Sequence, residues 1–365
     1  MRKNYIDHLR VACILLLFPF HTCRIFTEEN FYVHVQQVTG CELFVQLLGP
    51  WFMPLLFLLA GMSTYLALGK RSNGQYIKER VSKLFMPCIC GVLLTVPIQT
   101  YYAEKYHNAY TGTYFEQLKL FFTKETDLTG YTGGFTPAHL WFLFVLFVIS
   151  VALLPIIVRI RKMKRETLSL LKNPVVLLLM IIPITLVSTI EIATIAIGKY
   201  MILFLLGAMF CTNEDILETI KKYRACYLGI MLLITIQYIL SRFGVIPEIG
   251  GIFRGIAYQT RMWATILTLL GYAMKYWNTN SRIMNYFKEV CFPIYEVHQT
   301  ILVVVAYYIV NSTSYFAIQY VGSLVCTFII SIVVCEILRS FRVTRWMFAI
   351  KERTNPNKDL PVKIS

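Results

Sequence analysis

Charge is what this 365-residue chain has least of: Asp, Glu, Lys and Arg together make up 15% of it, and acidic residues number 20 against 35 basic ones. With 57% hydrophobic residues, so small a charged fraction excludes an ordinary soluble domain. Also missing are internal repeats, low-complexity tracts, the zinc, P-loop and dinucleotide signatures, and a serine nucleophile elbow. No small-residue cleavage site follows the first apolar run, which is therefore expected to be a retained span and not a signal peptide. The ten cysteines do not read as a disulfide scaffold. Most sit in or beside apolar runs as small apolar residues, and Cys23 and Cys41 are the pair placed to approach each other.

What the chain does have is membrane-length apolar sequence. Runs near 20 residues, bounded by charge or turn residues, fall at 9–26, 43–68, 84–103, 139–158, 174–192, 199–212, 224–241, 252–274, 291–311 and 317–338. The expectation is an all-α polytopic membrane protein of about ten spans, with one transmembrane domain over 1–338 and a basic tail over 339–365. A net charge of +15 suggests nucleic acid at first sight, but the basic residues alternate by loop. Twenty-seven of the 35 fall on one side of a ten-span map, in the N-terminal segment, alternate loops and the tail. The positive-inside rule then makes both termini cytoplasmic in a cell (plasma or inner) membrane, with lipid headgroups as partners and no nucleic acid. Oligomeric state is not legible.

The first span carries the most unusual chemistry. In YIDHLRVACILLLFPFHTCRIF, Arg10 and His21 are eleven residues apart, about three helical turns, so they share a face at a separation of about 16 Å. Arg10 at one membrane surface puts His21 near the midplane, where an ionisable residue is a functional candidate; a helix-to-helix hydrogen bond is the plain alternative. WFMPLLFLLAGMS in the second span carries a small-residue patch, Ala60, Gly61 and Ser63, that lets helices approach closely. RVSKLFMP puts Arg80 and Lys83 one turn apart at the mouth of the third span, as topology anchors or as a phosphate site. Residues 114–122, in the longest loop, suit a short amphipathic helix. His139 and Trp141 open the fourth span, where both suit an interface. Arg261 lies deep in the eighth span and needs a partner. In PIYEVHQ of the ninth, Tyr295, His298 and Gln299 share a side while Glu296 points elsewhere, free to pair with Arg261.

In order and spacing these segments resemble the acyltransferase type 3 superfamily of integral membrane acyltransferases, closest to its glucan succinyltransferase and surface-polysaccharide O-acyltransferase branch. The resemblance implies transfer of an acyl group, acetyl or succinyl, from cytosolic acyl-CoA to a hydroxyl of an exported or cell-surface carbohydrate. Acyl-CoA is then a co-substrate, with no tightly bound cofactor and no metal. Arg10 and His21 match the family's first-span Arg and His, Arg80 the first arginine of an Arg-x-x-Arg pair, and His298 the ninth-span histidine. Lys83 stands where the family has its second arginine, so charge is kept and the bidentate fork is lost.

The chemistry suits that reaction. A neutral imidazole, with an ordinary pKa of about 6.5, can take the proton of a sugar hydroxyl as it attacks a thioester. His21 is the expected base, with an acyl-histidine intermediate as a variant. His298 and Tyr295 are expected to orient it or polarise the carbonyl, and Arg10, Arg80 and Lys83 to hold the CoA phosphates. Arg261, Glu296, His139 and Trp141 are candidates for acceptor contacts or structural charge. A secondary transporter or lipid-linked glycan flippase, with the same intramembrane charges lining a path, is the competing class; a scaffold relative without catalysis is a third.

Overall fold

A computed structural model describes residues 3–27, 31–123, 134–279 and 281–352. Arg2 of the N-terminal segment, Glu28 and Glu29 between the first two spans, and residues 353–365 of the expected tail lie outside the described residues. Every apolar run named above is helical over most of its length, the clearest departure being residues 188–192 at the end of the fifth. α1 (Asn4–Arg24) and α2 (Thr39–Ala67) are the first two spans, and Ser72 caps α3 (Asn73–Arg80) by a reciprocal bond pair with Gln75. A π-helical turn, Val81–Phe85, then leads into α4 (Met86–Leu94) and α5 (Val96–His107). The expected surface helix is present as α6 (Tyr114–Thr123).

A 3-10 turn, Ala138–Leu140, opens the fourth span, which continues as α7 (Trp141–Ala152) and α8 (Leu154–Lys162) at a bend of 51°. α9 (Pro174–Leu179) and α10 (Ile181–Val187) are bent by 87° from the preceding 3-10 segment, and α11 (Ile197–Phe210) meets α12 (Glu214–Lys222) at 105°. α13 (Arg224–Arg242), α14 (Gly251–Tyr276), α15 (Arg282–Ser312), α16 (Phe316–Ser340) and the short α17 (Arg342–Met347) complete the chain. Proline sets several of these breaks: Pro97, Pro155 and Pro174 stand at the starts of α5, α8 and α9, where a missing N–H leaves no intrahelical bond unmade.

Among the described residues six helices are long and apolar enough to cross a membrane, or nine if each bent pair is one span. The eighth expected span, α14, is 26 residues long but is not among them, because Arg254, Gln259 and Arg261 dilute its apolar content. Lys3 and Lys351 line one cavity, so the two described chain ends share a face of the molecule, called the terminal face below. The expected boundary at 338/339 falls inside α16: Arg339 is buried and ion-paired to Glu289 and Glu336, both at 3.3 Å, which makes it part of the bundle.

α15 is the central helix, with 72% of its apolar window buried, while α13, at 6%, lies at the edge and turns Leu233 and Ile236 outward, as lipid contact requires. α2 and α11 cross at backbone contact. A Cβ on Gly61 would stand 1.8 Å from the Phe204 carbonyl oxygen, and one on Gly207 would stand 2.0 Å from that of Leu58. The small-residue patch of the second span is therefore a packing device.

Candidate active site

Three of the six histidines meet inside the bundle. His21 comes from the last turn of α1, His139 from the 3-10 turn before α7, and His298 from the middle of α15. The His298 ring centroid is 5.3 Å from that of His21 and 5.2 Å from that of His139. Tyr295 is 5.9 Å from His298 and 5.5 Å from His139, and Phe18 is 5.7 Å from His298. His139, His298 and Tyr295 are each at most 5% exposed. His139 is therefore a member of the cluster, not an interfacial residue.

Their hydrogen bonds fix which nitrogens remain available. His298 Nδ1 faces the Tyr295 carbonyl oxygen at 2.6 Å and His139 Nε2 faces that of Glu296 at 3.0 Å. A carbonyl only accepts, so both nitrogens are donors, and in the neutral rings His298 Nε2 and His139 Nδ1 carry the lone pairs. Neither of those nitrogens has a partner, nor does His21 Nδ1. Tyr295 Oη donates to the His139 carbonyl oxygen. Side chain of 139 to backbone of 296, and side chain of 295 to backbone of 139, form a two-point clasp between the turn and α15. Ala138, with φ of 48°, takes a left-handed conformation uncommon for a residue with a side chain, and its N–H is held by Thr136 Oγ1 at 3.0 Å.

His21 is not covered by further helix. α1 ends three residues later and the chain returns as a loop whose Phe31 ring stacks on His21 at 6.2 Å and 15°. His107 Nε2, at 2.8 Å from the Phe31 carbonyl oxygen, and Tyr106, which donates to that of His34, tie this loop to the end of α5. Cys23 and Cys41 do approach each other at the two ends of this loop, both as free thiols. Below the histidines Gln299 donates to Gln99 at 3.2 Å, Gln99 to Thr300 at 2.7 Å, and Thr300 to the Thr95 carbonyl oxygen at 3.1 Å, a carbonyl exposed by the α4–α5 break. Sequence reading missed the Phe31 cover, because loop residues carry no periodicity. Gln99, beside Pro97, had the proline as its signal.

The other expected residues are dispersed. Arg10 donates to Asp7 at 3.1 Å and to Ser63 Oγ at 2.9 Å. Arg80 lies over the Tyr76 ring at 4.9 Å, and Tyr76 Oη bonds Thr64 at 2.9 Å. Arg161, outside the expected site residues, donates to the Tyr65 carbonyl oxygen and covers that ring at 4.9 Å. Residues 63, 64 and 65 are successive on α2 and point about 100° apart, so these arginines form a collar around its terminal-face end. Lys83 is turned outward onto Glu79 at 2.6 Å. Trp141 packs on Tyr200 at 5.7 Å.

Glu296 and Arg261 do not pair. Glu296 is fully buried and neither carboxyl oxygen has a hydrogen-bond partner, while Arg261 donates to the Gln46 carbonyl oxygen at 3.2 Å and lies over Tyr238 at 4.2 Å. Spacing along two separate helices does not fix their rotation, which turns Glu296 away from α14. Among the described residues no group of His, Cys, Asp and Glu is arranged to hold a metal ion.

A family model described as an acyltransferase domain matches residues 3–337. The chain is similar to the "Glucans biosynthesis protein C" of Salmonella heidelberg (strain SL476), 22% identical over 388 aligned positions that cover 96% of this chain and 95% of the relative. Proteins with the same description from Salmonella paratyphi B and Salmonella agona are 26% identical over 156 residues, 41% of this chain and 37% of theirs. No solved structure matches significantly.

Proposed function

The chain belongs to the acyltransferase type 3 family, as a multi-pass membrane enzyme, and from that premise we propose that it moves an acetyl or succinyl group from acyl-CoA to a carbohydrate hydroxyl, with His21 as the base. The observation that carries this reading is the pair His21–His298, 5.3 Å apart, with an unpartnered nitrogen on each ring. Closing that gap so that an N–H of His21 donates to His298 Nε2 would leave the other His21 nitrogen as the base, a division of labour like that of the base and its orienting partner in acyl-transfer triads. The acceptor hydroxyl gives its proton to His21, its oxygen bonds the thioester carbon, the C–S bond breaks, and the proton passes to the departing CoA sulfur. His298 orients His21. Tyr295, whose only proton is given to a backbone carbonyl, is a positioning residue here and not a donor to the substrate.

Arg80 and Arg161 are the first phosphate candidates, because Lys83 already faces Glu79 and Arg10 already faces Asp7. The large cavity of about 1140 Å³ on the same face is a weaker one: Lys3 is bonded to Glu214 and Lys221 to Glu218. The basic excess on the terminal face supports a cytosolic orientation for both ends in the cell membrane, with CoA entering there. The relatives' description as glucans biosynthesis proteins supports a glucan-type acceptor, which would approach from the opposite face, where Phe31 covers His21.

The test is incubation of the purified protein with labelled acetyl-CoA and succinyl-CoA, with and without envelope glycans. The expected result is one free CoA released per acyl group appearing in glycan. Glycan flux across proteoliposomes without CoA consumption would replace this reading with a transporter.

A further inference from the structure

On the face opposite the chain ends, a cavity of about 450 Å³ opens between α13 and α14, outside the histidine cluster. Arg242, Arg254 and Arg261 line it together with Tyr238, Tyr258 and one acidic residue, Glu248. Two of these cations are matched: Arg242 pairs with Glu42 at 2.7 Å, and Arg254 reaches Glu248 at 3.6 Å. Arg261 is different. It is 5% exposed, its contacts are the Gln46 carbonyl oxygen and the Tyr238 ring, and its Nη1 has no hydrogen-bond partner. A buried guanidinium with an unused N–H, at a cavity that already holds two other arginines, is complementary to an oxyanion, and its planar fork suits phosphate oxygens.

The rim points to what carries that oxyanion. Phe243, Val245, Ile252 and Phe253 stand in the α13–α14 connection and the first turn of α14, each more than half exposed. Apolar side chains clustered beside an arginine-lined cavity are unfavourable in water and well matched to acyl chains. We propose that the cavity holds the phosphate headgroup of a membrane lipid on the face opposite the chain ends. Arg261 Nη1 takes a phosphate oxygen, Tyr238 and Tyr258 flank the headgroup, and Ile252 and Phe253 lie along the lipid chains. This site does not depend on the identity of the transferred acyl group or of its acceptor.

The full chain in uncharged maltoside micelles, titrated and read by native mass spectrometry, tests the site with phosphatidylglycerol, a diacylglycerol of the same chains, and inorganic phosphate. Wild type is expected to retain one phosphatidylglycerol in clear preference to diacylglycerol, and Arg261→Gln to weaken that retention by about tenfold, the loss of a charge-assisted contact. Ala257→Phe, which fills the cavity and leaves every charge in place, should weaken it similarly and keeps the test decisive if Arg261→Gln does not fold. Equal retention of the two lipids, or retention untouched by Ala257→Phe, would overturn the proposal. Inorganic phosphate bound as tightly as the lipid would assign the site to a free oxyanion and overturn it too.

Discussion

Histidine 21 owes its chemistry to neighbours that are distant in sequence. His298 presents a ring nitrogen with no hydrogen-bond partner 5.3 Å, ring to ring, from His21, and the clasp through Tyr295 and His139 holds its helix in place. Removing the clasp should therefore differ from removing the ring. Tyr295→Phe leaves a buried carbonyl without its donor, a loss of about 1–3 kcal/mol, so thermal stability in detergent should fall while a measurable rate of transfer survives. His298→Ala removes the donor to the Tyr295 carbonyl oxygen and leaves a cavity, so stability should fall as well, and kcat of the folded protein should fall by about 100-fold, the scale of general-base assistance. A rate for His298→Ala above that of Tyr295→Phe would reverse their roles. The histidine motifs were legible because a titratable group in an apolar run is conspicuous. Whether Glu296 and Arg261 pair was not legible, and they do not, because the rotation of two separate helices decides whether their residues meet.

Among the elements, α2 and α11 cross with backbone against backbone at two glycines, Gly61 and Gly207. Gly61→Leu requires a side chain where the Phe204 carbonyl oxygen stands, so the protein should fail to accumulate as a folded monodisperse species on size-exclusion chromatography in detergent. Gly49→Leu, at a glycine with nothing within 4 Å of its added Cβ, is the matched control and should behave as wild type. Equal behaviour of the two variants would deny the close crossing. Sequence patterning anticipated this interface from Ala60, Gly61 and Ser63 without identifying the partner helix. It also anticipated α6, but read 84–103 as one span after a loop, missing the π turn at its start and the break before Pro97 that frees Thr95 for Thr300. A local backbone break makes little change in apolar content, which is the quantity that marks a span.

For the whole molecule, the charge map and the cavity shared by Lys3 and Lys351 agree that the two chain ends lie on one face. Lys70, after α2, and Asn108, after α5, then belong to opposite faces. In a cysteine-free background, Lys70→Cys should be shielded from an impermeant maleimide in intact cells and Asn108→Cys should react; labelling of both from outside would break the topology. The number of crossings was less legible than their parity. α14 carries its arginines for a cavity and for contacts to Gln46 and Tyr238, and that polar content removes it from any count based on hydropathy.

All of these levels meet in one chemical statement, that a hydroxyl proton leaves to His21 while an acyl group leaves CoA. The direct measurement is the initial rate at which labelled acyl-CoA acylates envelope glycan in membranes containing equal amounts of folded wild type and His21→Ala. Loss of the base predicts a fall of at least about 100-fold, with acyl-CoA binding retained. A His21→Ala protein that labels glycan at the wild-type rate would contradict it.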